Sequence, residues 1–427
     1  MTTSDGAVMG TTKVVDNGPA SLRFNLVVFG DGYQAGQLPQ YASDVDRFVG
    51  VLFATAPFGA LRSAINVYRV DVSSTDSGAD DPAACGGSGA TARTYFDASF
   101  CNSGIQRLLL VDNGTVIATA NAQVPEWTTL LVIVNSTVYG GAGGQVATFS
   151  LAANAEEIGL HEMGHTAFGL ADEYQAFVGC GLESDHDHHP PGEPVEANVT
   201  TNTNRSTLKW RHLVAPSTPL PTTRNPDCTQ CDFQASPVPA GTVGLFEGAH
   251  YYHCGAFRPE FACRMRDLGN PFCAVCQERI RTVMAAYRGQ SLPTLRRGAT
   301  GQAVRNLHGL LLAHGHDPRG IDGIFGPNTE AAVRASQRKP AIAVDGVVGP
   351  QTWGALLAAG QPTLRRGATG QAVRNLQGLL LAHGHDPRGI DGIFGPGTEA
   401  AVRAFQRQAA IAVDGVVGPQ TWGALLG

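Results

Sequence analysis

The residues best suited to chemistry are His161, Glu162 and His165, which spell His-Glu-x-x-His within residues 160–174. On an α-helix, positions i and i+4 lie on one face a turn apart, so the two imidazoles can meet at one metal ion. Glu162 sits beside them, placed to hold a water and take its proton. Two histidine ligands, a third ligand from elsewhere, an open position and a carboxylate base make up the zinc-peptidase arrangement. The bland alternative is a surface helix with two incidental histidines. Context argues against it. Residues 150–159 are rich in Ala and Glu and are expected to run helically into the motif. Gly169 can end the helix in a left-handed conformation. Asp172, Glu173 and Tyr174 follow, so a chain that doubles back at Gly169 brings an acid to the metal. One of these acids is the expected third ligand, with His212, His250 and His253 as further candidates.

Other segments must hold that helix in place. Leu22, Phe24, Leu26 and Val28 alternate as a strand that ends at Gly30-Asp31-Gly32, read as a tight turn. Val45, Phe48, Val49 and Leu52 have helical spacing within residues 39–62. Residues 65–72, 105–111 and 129–135 read as strands, residues 1–20 as a loose lead-in, and 277–287 as a closing helix. The region 129–144, ending in a glycine-rich run, is expected to edge the cleft, where free backbone groups can pair with an extended peptide. Asp185-His186-Asp187-His188-His189 reads as a solvated loop rather than a second metal site, and residues 198–227 as loop.

Residues 161–174 resemble the His-Glu-x-x-His-x-x-x-Gly-Leu-x-Asp-Glu-Tyr signature of the igalysins, the IgA-peptidase-type zinc metallopeptidases related to the metzincins. Gly30-Asp31-Gly32-Tyr33, Glu247-Gly248-Ala249, Arg258-Pro259, Cys263-Arg264-Met265 and Phe272-Cys273-Ala274-Val275-Cys276 are similar to further motifs of that family. The resemblance covers about residues 20–288. It implies an α+β fold, with a metzincin-like zinc peptidase domain built from a mixed sheet and an active-site helix. It also implies Zn2+ as cofactor, a protein or peptide as substrate, and Met265 as the methionine of a tight turn beneath the metal. Relative to the metzincins, Gly169 and Asp172 each fall one residue late, which matches the igalysin form and implies an acidic third ligand, Asp172, with Glu173 as the fallback.

The tail is a tandem repeat. Residues 293–357 and 362–426 differ only at His308/Gln377, Asn328/Gly397, Ser336/Phe405, Lys339/Gln408 and Pro340/Ala409. Val304, Leu307, Leu310 and Leu311 mark one amphipathic helix, residues 331–337 mark another, and the Asp-Gly-x-x-Gly-Pro turns lead into helices. Each copy resembles the bacterial peptidoglycan-binding domain, which implies two small all-α three-helix modules and bacterial peptidoglycan as partner. Ser336 and Pro340 put the packing of the first copy in question. The expected domains are a lead-in at 1–20, a peptidase at 21–288, and repeats at 293–358 and 362–427.

Composition sets the outer bounds. The hydrophobic share is 43% of the 427 residues, enough for sizeable cores, and no apolar run is long enough to span a bilayer. Residues 291–427 carry 13 basic and 8 acidic side chains, and the first 290 carry 17 and 28, so an acidic part is joined to a modestly basic tail that fits either an anionic surface or a solvated face; no nucleic-acid partner is expected. All nine cysteines lie within the first 276 residues. Cys85 and Cys101 bracket a loop as a disulfide pair would. Cys228 and Cys231 with Cys273 and Cys276 serve either as disulfides or as a four-thiolate structural zinc site. Residues 1–16 lack a basic start followed by an apolar stretch, so no secretory leader is read. Wall repeats and disulfides place the protein outside the cell or on its wall, and a cytoplasmic life is the alternative. The expected function is a zinc-dependent endopeptidase tethered to the bacterial wall. A hydrolase of peptidoglycan stem peptides and a non-catalytic wall-binding protein are the competing readings.

Overall fold

The computed structural model describes residues 3–20, 23–177, 179–181, 186–287, 292–338, 342–357, 362–409 and 411–426. Leu22, Asp185, Lys339 and Pro340 lie outside the described residues. The chain divides into two compact units. One comprises residues 1–15, 25–62 and 67–284, and the other 16–24, 63–66 and 285–427.

The first unit is built on a six-stranded mixed sheet. Its strands are β1 (Gly6–Val15), β2 (Phe24–Asp31), β3 (Ile65–Ser74), β4 (Thr129–Val134), β5 (Gly141–Ala142) and β6 (Ala147–Ser150), in the order β1-β3-β2-β4-β6-β5. β2 pairs parallel with β4, and β4 parallel with β6, while β1 on β3 and β5 on β6 run antiparallel. Strands in the middle of such a sheet are covered on both faces, which is why β2 and β4 read as near-continuous apolar runs and are buried at every position. Strand alternation then sorts the side chains. Val27, Phe29, Val132 and Val134 join Phe96, Phe100, Val116 and Ala120 in one core. Here α2 (Asn113–Gln123) covers the sheet, its first turn capped by the Asp112 carboxylate, which accepts from the Gly114 N–H. On the other face α1 (Leu38–Ala54) and α3 (Ala155–Phe168) pack together. Phe48 of α1 meets Phe149 of β6 at 5.4 Å between ring centroids.

Three expectations need correction. Residues 6–15 are not a loose lead-in but strand β1, whose β-branched residues pair with β3. Residues 105–111 form only isolated bridges, Leu108 with Gly141 and Leu110 with Ser99, and no strand. Helix α3 starts at Ala155, later than expected, because Ala147–Ser150 is drawn into the sheet as β6. The tight turn read at Gly30-Asp31-Gly32 is confined to Gly32, at φ 70°, since Gly30 and Asp31 still belong to β2 and pair with β4. Buried Asp31 accepts from the Phe96 and Ala98 N–H groups at 3.0 and 3.1 Å, pinning the long excursion after β3.

Beyond the sheet come the hairpin β7 (Phe246–Ala249) and β8 (Tyr252–Arg258) and then α4 (Ala274–Met284). The second unit holds α5 (Gln302–Ala313), α6 (Pro327–Gln337) and α7 (Pro350–Leu356), repeated as α8 (Gln371–Ala382), α9 (Pro396–Gln408) and α10 (Pro419–Leu426). Trp353 and Trp422 are fully buried, and their indole N–H groups donate to the Pro293 and Pro362 carbonyls at 3.0 Å each. The two copies share one core rather than folding as separate beads. α5 crosses α8 at Gly309 and Gly378, where a Cβ on either would stand 2.2–2.3 Å from the other's carbonyl oxygen. The contacts are reciprocal. Asn306 donates to the Leu425 carbonyl and Asn375 to the Leu356 carbonyl, both at 3.1 Å. Near-identical copies thus pair about a local two-fold. They differ where Ser336 replaces Phe405. In the second copy Phe405 packs on the His383 ring at 5.1 Å, whereas in the first a cavity of about 250 Å³ opens between Ser336, His314, His316 and Ile342.

Candidate metal centre

The centre is assembled on α3. Asn154, left-handed at φ 64°, turns the chain into the helix, and Gly169 at φ 59° turns it out. His161 and His165 project from one face, with their Nε2 atoms 3.2 Å apart. After the reversal at Gly169 the chain carries Asp172 back to them. Its Oδ1 lies 3.0 Å from His161 Nε2 and 3.3 Å from His165 Nε2. The far side of each ring is fixed by a carbonyl, His161 Nδ1 to the Arg264 oxygen at 3.0 Å and His165 Nδ1 to the Leu170 oxygen at 2.7 Å. A carbonyl only accepts, so each Nδ1 carries the proton and each Nε2 presents a lone pair. Two imidazole nitrogens and a carboxylate oxygen therefore converge. Neighbouring N and O ligands of a tetrahedral zinc are roughly 3.3 Å apart. The trio fits a metal ion in donor type, spacing and charge.

Electrostatics agree. Burial works against charge on His161, yet Asp172 and Glu162 beside it more than offset this and lift the imidazole to about 9. Burial likewise opposes ionisation of Asp172, but the two histidines hold its carboxyl well below the usual range. The site is thus built around positive charge at the Nε2 atoms, supplied either by protons or by a metal. Glu162 is raised by burial, with His161 and His165 pulling the other way.

Met265 lies under the helix. Gly164 leaves room for it, since a Cβ there would sit 2.8 Å from the Met265 sulfur. The Glu173 N–H donates to the Met265 carbonyl at 2.8 Å, tying the segment after the turn to this floor. The cleft runs along β5, the outer strand of the sheet. Gly141 approaches the base closely, where a Cβ would lie 2.7 Å from Ile158 Cγ2 and 2.9 Å from Glu162 Oε1. A cavity of about 330 Å³ opens here, lined by Arg107, Gly143, His165, Asp172, Tyr174 and Tyr251 among others. A second, of about 250 Å³, adjoins Glu162 and includes Tyr139, Ile158 and Leu268.

Three of these residues escaped the sequence reading as site residues. Tyr251 sits at the tip of the β7–β8 hairpin, where both His250 and Tyr251 adopt positive φ, 58° and 70°. Non-glycine residues pay strain in such a turn, and it persists where surrounding structure holds it. Here the hairpin tip docks on the ligand segment. His250 N–H donates to the Asp172 carbonyl and Tyr251 N–H to the Tyr174 carbonyl, at 3.1 and 3.0 Å. The Tyr251 hydroxyl donates to Asp172 Oδ2. Burial, reinforced by Asp172, pushes the Tyr174 and Tyr251 phenols far above their ordinary range, so both stay hydrogen-bond donors. Arg107 anchors to the Phe177 carbonyl at 2.7 Å. No local spacing links Arg107 or Tyr251 to the motif.

The other expected ligands are elsewhere. Glu173 turns away from the histidines into the interior, where Asn198 donates to it at 2.9 Å. His212 pairs with Glu278, His250 with His189, and His253 Nδ1 with the Cys228 carbonyl. Cys85 is bonded to Cys101. Cys228, Cys231, Cys273 and Cys276 do not come together as one group. Cys228 is bonded to Cys254 and Cys231 to Cys180, so their thiols are spent, while Cys273 and Cys276 remain free beside Cys263.

Comparison with known proteins fits this division. The family model described as IgA Peptidase M64 matches residues 12–236 and 227–284, and the peptidoglycan binding domain model matches 300–356 and 369–425. The chain is 34% identical over 156 residues to the N-acetylmuramoyl-L-alanine amidase CwlL of Bacillus licheniformis, covering 30% of this chain and 43% of that protein. It is 34% identical over 102 residues to the zinc D-Ala-D-Ala carboxypeptidase of Streptomyces albus G, covering 23% and 36%. The chain thus spans less than half the length of either relative. A crystal structure of the SleB N-terminal domain is 38% identical over 16% of this chain and 90% of that one, with a TM-score of 0.15.

Proposed function

The chain belongs to the IgA Peptidase M64 family, and from that premise we propose that it is a zinc-dependent endopeptidase that hydrolyses peptide bonds in proteins while its C-terminal repeats hold it on bacterial peptidoglycan. One observation carries the reading. Two imidazole lone pairs and the Asp172 carboxylate converge within 3.3 Å at the mouth of a cleft, beside the carboxylate of Glu162.

His161, His165 and Asp172 would hold the metal. Zinc bound there would polarise the scissile carbonyl and make a water acidic enough to deprotonate near neutral pH. Glu162 takes that proton and returns it to the departing amine. Tyr251 and Tyr174, both protonated, hold Asp172 in place and offer donors toward the cleft. The outer strand β5 presents backbone groups to which an extended substrate can add as a further strand. Met265 shapes the floor beneath the ligands, which is the support for grouping the fold with the metzincins. The unit of residues 1–15, 25–62 and 67–284, which takes in β1, makes up the catalytic domain, and 293–358 with 362–427 the wall-binding pair. The paired repeats and the three disulfides favour an extracellular or wall-associated site of action.

A second reading has its own support. By their names, the amidase and carboxypeptidase relatives act on bonds of the bacterial wall, so peptide stems of peptidoglycan are the alternative substrate. Casein and purified sacculi offered to wild type and Glu162→Gln separate the two. The endopeptidase reading expects internal cleavage of casein without release of soluble wall fragments. Release of fragments with casein intact would favour the alternative.

A further inference from the structure

Glu173, Cys263, Cys273 and Cys276 form a second cluster, apart from the cleft, whose ligand atoms all lie within 4.8 Å of one another. We infer that it is a closed structural zinc site of three thiolates and one carboxylate, which locks the catalytic ligands from behind. All four side chains are buried, none more than 3% exposed. Their spacing is that of a coordination shell. Cys263 Sγ lies 3.8 Å from Cys276 Sγ, and Glu173 Oε1 lies 3.4 Å from Cys276 Sγ and 3.9 Å from Cys273 Sγ. Around a tetrahedral zinc, neighbouring sulfurs stand roughly 3.8 Å apart, and sulfur and carboxylate oxygen roughly 3.5 Å. A disulfide would need its sulfurs about 2.0 Å apart, and three thiols cannot all pair.

The surroundings suit thiolates. The Cys273 N–H points at Cys263 Sγ (3.3 Å) and the Cys276 N–H at Cys273 Sγ (3.4 Å), so backbone donors face the sulfurs. Asn198 fixes Glu173 Oε1, while Oε2 has no partner although it is buried. A buried carboxylate oxygen left in that state is costly unless a cation answers it. With four protein ligands and no solvent face, the site has no position for substrate or water, which is the mark of a structural rather than catalytic zinc. Its ligands adjoin the first centre in sequence. Glu173 follows Asp172, Cys263 stands two residues before Met265, Cys273 immediately precedes α4, and Cys276 lies in its first turn.

The test uses the full chain with its disulfides intact, loaded with zinc, desalted, and examined by elemental analysis and zinc X-ray absorption. Wild type is expected to hold about two zinc ions per chain, and His161→Ala/His165→Ala about one, seen with about three sulfurs near 2.3 Å and one oxygen. That double variant changes only residues of the cleft, so it reports on the sulfur site without disturbing it. Cys276→Ser is expected to lose the sulfur shell. The proposal is overturned if the double variant keeps no zinc or keeps it without sulfur, or if mass spectrometry finds two of the three cysteines joined. Wild type with a single zinc bound by sulfur would instead count against the catalytic reading and leave this one standing.

Discussion

The two clusters meet at one stretch of backbone, where Asp172 belongs to one and Glu173 to the other, yet their surroundings differ. Asp172 and Glu173 are neighbours that face opposite ways, one into the cleft and one into the interior. Arg264 lends its carbonyl to His161, and the cysteine before it joins the sulfur cluster. The histidine trio has nitrogen and oxygen donors, a side chain 19% exposed at His165, and a free carboxylate alongside. The cysteine cluster has soft donors and no opening. Adjacent residues can thus serve reaction and rigidity at once, and access to solvent decides which. Catalysis needs an exchangeable position, and holding a hairpin and a helix together needs none.

That contrast can be broken in several ways, and the largest effect should come from chelation. A mild chelator such as dipicolinate should strip the open site and abolish peptidase activity while about half of the zinc stays with the protein. Loss of both ions together, measured by elemental analysis after desalting, would erase the distinction. Glu162→Gln should lower kcat/KM by about 10²–10⁴-fold with the zinc content unchanged, because it removes a proton acceptor and not a ligand. If the variant lost its metal as well, the assigned role of Glu162 would be wrong.

Tyr251→Phe removes the hydroxyl bonded to Asp172 Oδ2 and should weaken zinc at the open site by roughly 10–100-fold, leaving the sulfur-bound ion in place. Competition with a fluorescent zinc chelator reads this out. The smallest effect is expected from Gly141→Ala, whose methyl group would crowd Glu162 Oε1. A drop in kcat of about tenfold, with both metals retained, is the expected result for a displaced base. An unchanged kcat would mean that β5 does not set the position of Glu162.

The contrast also explains what could be read from the chain alone. The helix with its two histidines was legible because its residues sit at fixed short intervals, and Gly169 marked its end. β2 was legible from alternation and β4 as an apolar run, and the repeat announced itself by near-identity. β1 was hidden because its Thr, Gly and Lys residues look like loop until β3 supplies a partner. α2 was hidden because Ala, Thr and Asn give it little periodic contrast. The cysteine cluster was hidden for a stronger reason. Glu173 and Cys276 lie about a hundred residues apart, and Cys228 with Cys231 offered a decoy spacing that the structure spends on two separate disulfides. Spacing reveals a site carried by one element. A site gathered from three segments becomes visible only when the fold brings them together.

The most direct measurement is cleavage of a defined peptide library by one preparation of the full chain in two states, stripped of metal and then restored with zinc. The account predicts no cleavage by the stripped protein and internal cuts after zinc is returned. Equal cleavage in both states, or none in either, would contradict it.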